Sequence, residues 1–145
     1  MAKQNFKNHI RFYWPHHFVF YPLIAFLVVL GIRGYFIDDV HYHEWLAVAI
    51  FALLLGWLSY MMRQHYALTL QNRMVITEMR LRYYQLTQQR LETFEKELSF
   101  GQIAALRFAS DEELPALLKR TVAEKLSPTD IKRSIQHWLP DNLRV

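Results

Sequence analysis

The sequence contains no cysteine, so disulfide frameworks, thiolate metal sites and cysteine nucleophiles are all excluded. Several patterns typical of enzymes are lacking as well. There is no glycine-rich phosphate loop, no H-E-x-x-H pair and no G-x-S-x-G elbow around a serine. We therefore expect a non-enzymatic protein that needs no cofactor.

Charge is missing from a long stretch in the middle of the chain, and helix breakers are missing from the stretch after it. Residues 45–62 read WLAVAIFALLLGWLSYMM, and no proline or glycine then occurs before Gly101. An uncharged run of about 18 residues can cross a hydrocarbon core about 30 Å thick. We predict one helix that crosses a bilayer over residues 45–62 and continues as a stalk over residues 63–98.

A second apolar block precedes it. Residues 18–37 contain the run LIAFLVVLGI, which predicts a first membrane span, with Arg33 near its exit as a side chain that reaches back to the interface. The connection DDVHYHE is short, so the two spans are expected to form an antiparallel hairpin. Residues 1–17 combine basic residues with aromatic rings and are interpreted as a cytoplasmic or interfacial segment.

The charges predict the orientation of this hairpin. Lys3, Lys7 and Arg11 precede the first span, Arg63 follows the second, and the connection carries Asp38, Asp39 and Glu44 with no basic residue. Basic residues favour the cytoplasmic side of a membrane. Both termini are therefore predicted to be cytoplasmic.

The remaining residues, 99–145, contain signals for three short helices. Ser99 with Gln102 has the spacing of a capping box, and Ser127 before Pro128 is a typical helix start. The predicted fold class is an all-α membrane protein: a transmembrane helical hairpin over residues 18–62, a long cytoplasmic helix over residues 63–98 and a small three-helix tail over residues 99–145.

Two apolar patterns predict helix packing. In the second span, small residues recur at spacings of three and four, which allows close contact with the first span or with another protomer. After the span, apolar residues alternate at spacings of four and three, as in a coiled coil or bundle, although an amphipathic stalk packed on its own tail fits equally. The packing residues are Ala49, Ala52, Gly56 and Ser59 in the span, and Leu70, Met74, Leu81, Tyr84 and Leu91 after it.

The short connection between the two spans contains the best candidates for metal-binding residues. Carboxylates and imidazoles can bind a divalent metal, but their spacing here matches no metal motif. We interpret the cluster as a solvated polar turn and keep its members only as weak metal candidates: Asp38, Asp39, His41, His43 and Glu44.

A tail of three helices also raises the possibility of nucleic-acid binding. From Ser99 onward, however, the sequence contains seven Lys and Arg residues and six Asp and Glu residues, so its charge is nearly balanced. Phosphate binding needs an excess of positive charge on one side, so we expect a protein partner and no nucleic acid.

Three segments of the chain resemble a known family. They are QNFKNHIRF near the start, LRYYQLT after the second span, and QIAALRFASDEELPALLKRTVAEKLSPTDIKRSIQHW near the end, with ALRFASDEELPAL as the most specific part. Together they resemble a family of small bacterial two-span membrane proteins that is classed as a domain of unknown function. The resemblance implies a location in the bacterial inner membrane.

The function expected from these patterns is a membrane-anchored scaffold or adaptor that forms a homo-oligomer and presents its cytoplasmic tail to a protein partner. Two alternatives stay open from the sequence. One is a homo-oligomeric channel or transport component with Arg33 or the acidic loop at its mouth, and the other is an accessory subunit of a larger membrane complex.

Overall fold

The computed structural model describes residues 4–9 and 13–141, which form helices and no strand. Lys3 and Arg11, predicted to set the topology, lie outside the described residues. The described chain divides into two compact units. One comprises residues 13–69, and the other combines residues 4–9 with residues 70–141.

The first unit is built from two apolar helices. A π-helical stretch, Pro15–Phe20, leads directly into α1, Tyr21–Ile37, and α2 follows at Tyr42–Met61. A second π-helical stretch, Met62–Ala67, then joins α2 to α3, Leu68–Thr87. The π-helical turns of this second stretch are wider than α-helical turns. They begin where the apolar run ends and Arg63 adds the first charge after it.

Helices α1 and α2 pack against each other through small residues. A Cβ added at Gly31 would lie 2.7 Å from the backbone nitrogen of Ala49 and 2.9 Å from the carbonyl oxygen of Trp45. The Trp45 ring lies over Gly34 and leaves no room for a Cβ there. Because Gly31 and Gly34 lack side chains, the two backbones come closer than larger residues would allow.

Two helical stretches are long and apolar enough to cross a membrane, namely Pro15–Ile37 and Tyr42–Thr87. In the most apolar 18 residues of each, only 6% and 11% are buried. Large side chains on both helices are therefore exposed, among them Phe26, Val29, Phe51 and Trp57. Apolar surface of this extent is characteristic of helices that contact lipid or another protein.

The second unit surrounds a small core. One face of α3 supplies Met79 and Tyr83, and four short helices cover it: α4, Glu92–Glu95; α5, Phe100–Leu106; α6, Leu114–Glu124; and α7, Pro128–Ser134. Leu106, Leu114, Leu118 and Ile131 are fully buried against this face. The tail therefore needs α3 to complete its core.

The predicted stalk ends earlier than expected. We predicted a helix over residues 63–98, but α3 stops at Thr87, and Gln88 adopts a left-handed conformation with φ of 56°. The backbone N–H of Gln88 still donates to the carbonyl of Tyr84, which closes the last turn. Without proline or glycine as a signal, the sequence did not mark this end.

Two of the three helix starts predicted in the tail are present. The third, a capping box of Ser110 with Glu113, is absent, because α6 begins at Leu114 and Glu113 itself is the N-cap. The Ser99 hydroxyl accepts from the backbone N–H of Gln102, whose side chain returns a bond to the N–H of Ser99, so the capping box is complete. Ser127 accepts from the N–H of Asp130. The last helix, which we predict over residues 128–139, is shorter in the structure: α7 ends at Ser134, and the chain then bends at residues 136 and 137 before Trp138 forms an isolated β-bridge with Ala109.

Candidate functional site

The connection between α1 and α2 is organised around Asp38. Its Oδ1 accepts from the backbone nitrogens of Val40 at 3.1 Å and His41 at 3.0 Å, and its Oδ2 accepts from Trp45 Nε1 at 3.2 Å. The bonds from the His41 N–H and the Trp45 indole lower the pKa of Asp38 below its ordinary value. The carboxylate therefore holds the turn that precedes α2.

The five weak metal candidates do not come together. His41 Nδ1 lies 3.3 Å from Asp38 Oδ2, while Asp39, His43 and Glu44 are exposed and share no contact with that pair. Across residues 4–9 and 13–141, no group of three or more histidine or carboxylate side chains could hold a metal ion.

The small residues of α2 face α1 within the same chain. Ala49 and Ala52 are 5% and 3% exposed, and Ala49 contacts Gly31. A Cβ added at Gly56 would lie 3.3 Å from Ile24 Cγ2 on α1, and Ser59 is half-buried beyond it. Of the two contacts predicted for these residues, the structure shows the one with the first span.

The apolar residues of α3 that repeat at spacings of four and three are exposed. Here this set is called the seam, and it comprises Leu70, Met74, Thr77, Leu81 and Tyr84. Leu70, Met74, Leu81 and Tyr84 are 59%, 71%, 58% and 49% exposed. Leu91, predicted to extend the same pattern, is instead buried in the tail core, because the helix ends before it.

The seam and the tail-packing residues occupy opposite faces of α3. At about 100° per residue, the seam centres about 180° away from Val75, Met79 and Tyr83, all of which are buried. One face of the helix thus holds the tail, and the other presents large apolar side chains to the surroundings. A helix apolar on two faces is expected to pack on two sides.

Two arginines of α3 bind the tail. Arg82, with its side chain 15% exposed, donates to the carbonyls of Arg107 at 3.0 Å and Ala109 at 2.6 Å and to Asp111 Oδ1 at 2.7 Å. Arg80 forms two bonds of 2.6 Å to Glu95 and thereby lowers the pKa of that carboxyl. No local sequence pattern indicated either of these contacts.

The charged residues predicted to mark the membrane interface lie at the surface where the structure describes them. Lys7, Arg33 and Arg63 are exposed. Arg33 lies one turn before the end of α1, which is where a long side chain can extend to an interface.

An open cleft of about 240 Å³ lies between α6 and the segment after α7, and Leu117 forms its apolar floor. Glu113 stands at its edge, with Oε1 accepting from the backbone nitrogens of Gln136 and His137 at 3.1 and 3.0 Å. The cleft is lined by Glu113, Ala116, Leu117, Arg120, Ser134 and Gln136.

Residues 4–9 pack on the tail, a contact that no local sequence pattern indicated. We interpreted them as part of an interfacial segment, but the Gln4 side chain accepts from the backbone N–H of Asp141 at 2.7 Å, and the His9 ring lies against Phe108 and Trp138. The residues that make these contacts are 99 to 137 positions apart in the chain, so local patterns could not predict them.

Comparisons with curated proteins and with solved structures gave no match. A family model, by contrast, covers residues 1–145, the whole chain. The chain belongs to a family of unknown function, DUF6526.

Proposed function

We propose that the protein is a non-enzymatic scaffold of the bacterial inner membrane that self-associates through the seam and presents its helical tail to a protein partner. The exposed seam is the observation on which the proposal rests. Its four large side chains lie on the face of α3 that the tail does not cover. Pairing of two such faces would remove them from water, at roughly 25 cal/mol for each Å² of apolar surface buried.

The membrane part of the proposal is supported by the exposed apolar surface of α1 and α2. These two helices cover each other along a stripe of small residues that comprises Gly31 and Gly34 on α1 and Ala49, Ala52 and Gly56 on α2. Their remaining large side chains would be stabilised by acyl chains, and their backbone polar groups are satisfied inside the helices. We infer an antiparallel transmembrane hairpin, with the Asp38 turn at one membrane face.

The orientation is supported by a contact within the second unit. Residues 4–9 precede α1, and they touch residues 132–141, which follow α2. Two segments in direct contact lie on the same side of a membrane, so the chain between them would cross it an even number of times. The exposed Arg63 after α2 then favours the cytoplasm for that side.

Self-association is tested on the full chain in lipid nanodiscs by native mass spectrometry. Leu81→Asp places a carboxylate in the middle of the seam, and because Leu81 is 58% exposed, the substitution leaves the tail core intact. We expect the wild-type chain to form a defined homo-oligomer and Leu81→Asp to shift it to monomers.

The matched control is Asn72→Asp, which adds the same charge at an exposed position on the opposite face of α3. It should retain the wild-type oligomer. A monomeric wild-type chain, or an oligomer that Leu81→Asp leaves unchanged, would contradict self-association through the seam. Gly56→Leu would not test that surface, because Gly56 faces Ile24 of its own chain.

A further inference from the structure

Residues 4–9 are held on the tail by three kinds of contact. The buried Gln4 side chain accepts from the backbone of Asp141, and the Phe6 ring lies under the Arg133 guanidinium at 5.5 Å. The His9 ring packs against Phe108 and Trp138 with centroid distances of 6.0 and 5.9 Å. His9 therefore lies at the centre of this contact.

The hydrogen bonds of His9 determine which ring nitrogen carries the proton. Nδ1 lies 2.7 Å from the carbonyl oxygen of Phe6, and a carbonyl can only accept, so Nδ1 donates. Nε2 lies 3.2 Å from the Lys132 Nζ, and an ammonium can only donate, so Nε2 accepts. Both contacts are satisfied by the neutral ring with its proton on Nδ1.

Among the described residues, the charges around this ring are mostly positive. Helix α7 contributes Lys132 and Arg133, with Asp130 lying 4.0 Å from the Arg133 guanidinium. Helix α5 is followed by Arg107, whose guanidinium lies 4.9 Å from the Phe108 ring centroid. The segment after α7 contributes Asp141, which is paired with Arg107 at 2.6 Å. Lys7 adds a further positive charge on the segment of His9 itself.

We propose that His9 makes the docking of residues 4–9 dependent on pH, so that the segment is bound to the tail when the ring is neutral and released when the ring is protonated. A second proton would go to Nε2, which faces the Lys132 ammonium. The hydrogen bond would then have two donors and no acceptor, and two like charges would stand 3.2 Å apart. Imidazole side chains in general gain a proton as the pH falls from about 8 to about 5, and this is the range that the experiment covers.

The absence of cysteine makes a direct distance measurement possible. Spin labels at Lys7→Cys and Lys119→Cys, both exposed, report the distance from the segment to α6 by pulsed electron resonance on the full chain in nanodiscs. At about pH 8 we expect one narrow distance. At lower pH, we expect the ratio of docked to released chains to fall about tenfold for each pH unit below the midpoint.

Two variants of the doubly labelled chain assign the effect to the His9–Lys132 pair. His9→Gln keeps a donor and an acceptor but does not titrate in this range, so its distance should stay constant with pH. Lys132→Met removes the ammonium while keeping the length of the side chain, and should move release to lower pH.

His137→Gln is the control, because His137 belongs to the same unit but contacts Glu113 instead. It should release the segment as the wild type does. The proposal is overturned if the wild-type distance is the same across this pH range, if Lys132→Met releases at the wild-type midpoint, or if His137→Gln abolishes the response. If the segment is released at every pH in the His9→Gln variant, the midpoint of release in Lys132→Met decides whether the proposal stands.

Discussion

Arg82 joins α3 to the segment between α5 and α6. Its guanidinium satisfies two backbone carbonyls at the end of α5 and the carboxylate of Asp111. The planar fork of arginine can serve all three acceptors at once, whereas a lysine ammonium could not span them. The residue thus positions the chain between α5 and α6 against α3.

Arg82→Met should lower the free energy of unfolding of the second unit by about 1.5–3 kcal/mol, because carbonyls that bonded a charged donor lose it. Urea-dependent hydrogen exchange of α5 in the full chain measures this loss. Arg90→Met is the matched control, since Arg90 is 79% exposed and its contact with Glu92 is 4.0 Å long. Equal exchange in the two variants would show that Arg82 contributes no more than a surface arginine.

At the scale of the elements, α1 and α2 depend on Gly31. Its closest contacts are backbone atoms of α2, and backbone cannot yield in the way that a flexible side chain can. The small residues on the other helix, Ala49 and Ala52, complete the contact. This pair therefore gains its stability from close approach of the two backbones and not from large interlocking side chains.

Gly31→Ala should destabilise the pair of helices by about 1–3 kcal/mol, the usual cost of an overpacked contact. Unfolding in sodium dodecyl sulfate, followed by tryptophan fluorescence, measures the change. Ala25→Val is the control, because it enlarges a side chain at an exposed position of α1. It should unfold like the wild type. The predicted contact is refuted if Gly31→Ala unfolds at the same detergent concentration as Ala25→Val.

The sequence could predict elements whose signals are local. The helical class, the two apolar stretches and the caps at Ser99 and Ser127 each follow from neighbouring residues. The end of α3 at Thr87 could not be predicted, because Gln88 adopts the left-handed conformation without being glycine or asparagine. Tertiary contacts of Leu91 in the tail core accompany that end.

Which of the two apolar faces of α3 is covered by the tail also depends on tertiary structure. The seam has the heptad spacing of a coiled coil, but Val75, Met79 and Tyr83 recur every four residues and equally form a stripe. Periodicity identifies both stripes, and only the position of the tail shows that the second one is covered.

At the scale of the whole molecule, the proposed topology predicts which residues are accessible from each side of a membrane. Single cysteines at Lys7, Asp39 and Lys119 are exposed and stand in an otherwise cysteine-free chain. With a membrane-impermeant maleimide on intact spheroplasts, we expect Asp39→Cys to react at once. Lys7→Cys and Lys119→Cys should react only after the membrane is permeabilised.

The comparison of Lys7→Cys with Lys119→Cys is the internal control, since both belong to the second unit. If these two sites react from opposite sides, residues 4–9 do not dock on the tail in the membrane. If all three sites react from the same side, the hairpin does not cross the membrane.

The contact between Gln4 and Asp141 spans 137 positions of the chain, and this has a consequence for biosynthesis. Residues 4–9 are translated well before Phe108 and Trp138, the rings that hold His9. The segment must therefore wait until translation has passed Trp138. A chain halted before Trp138 would keep its apolar helices yet leave residues 4–9 undocked, so access of a protease to that segment would distinguish chains that extend past Trp138 from shorter ones.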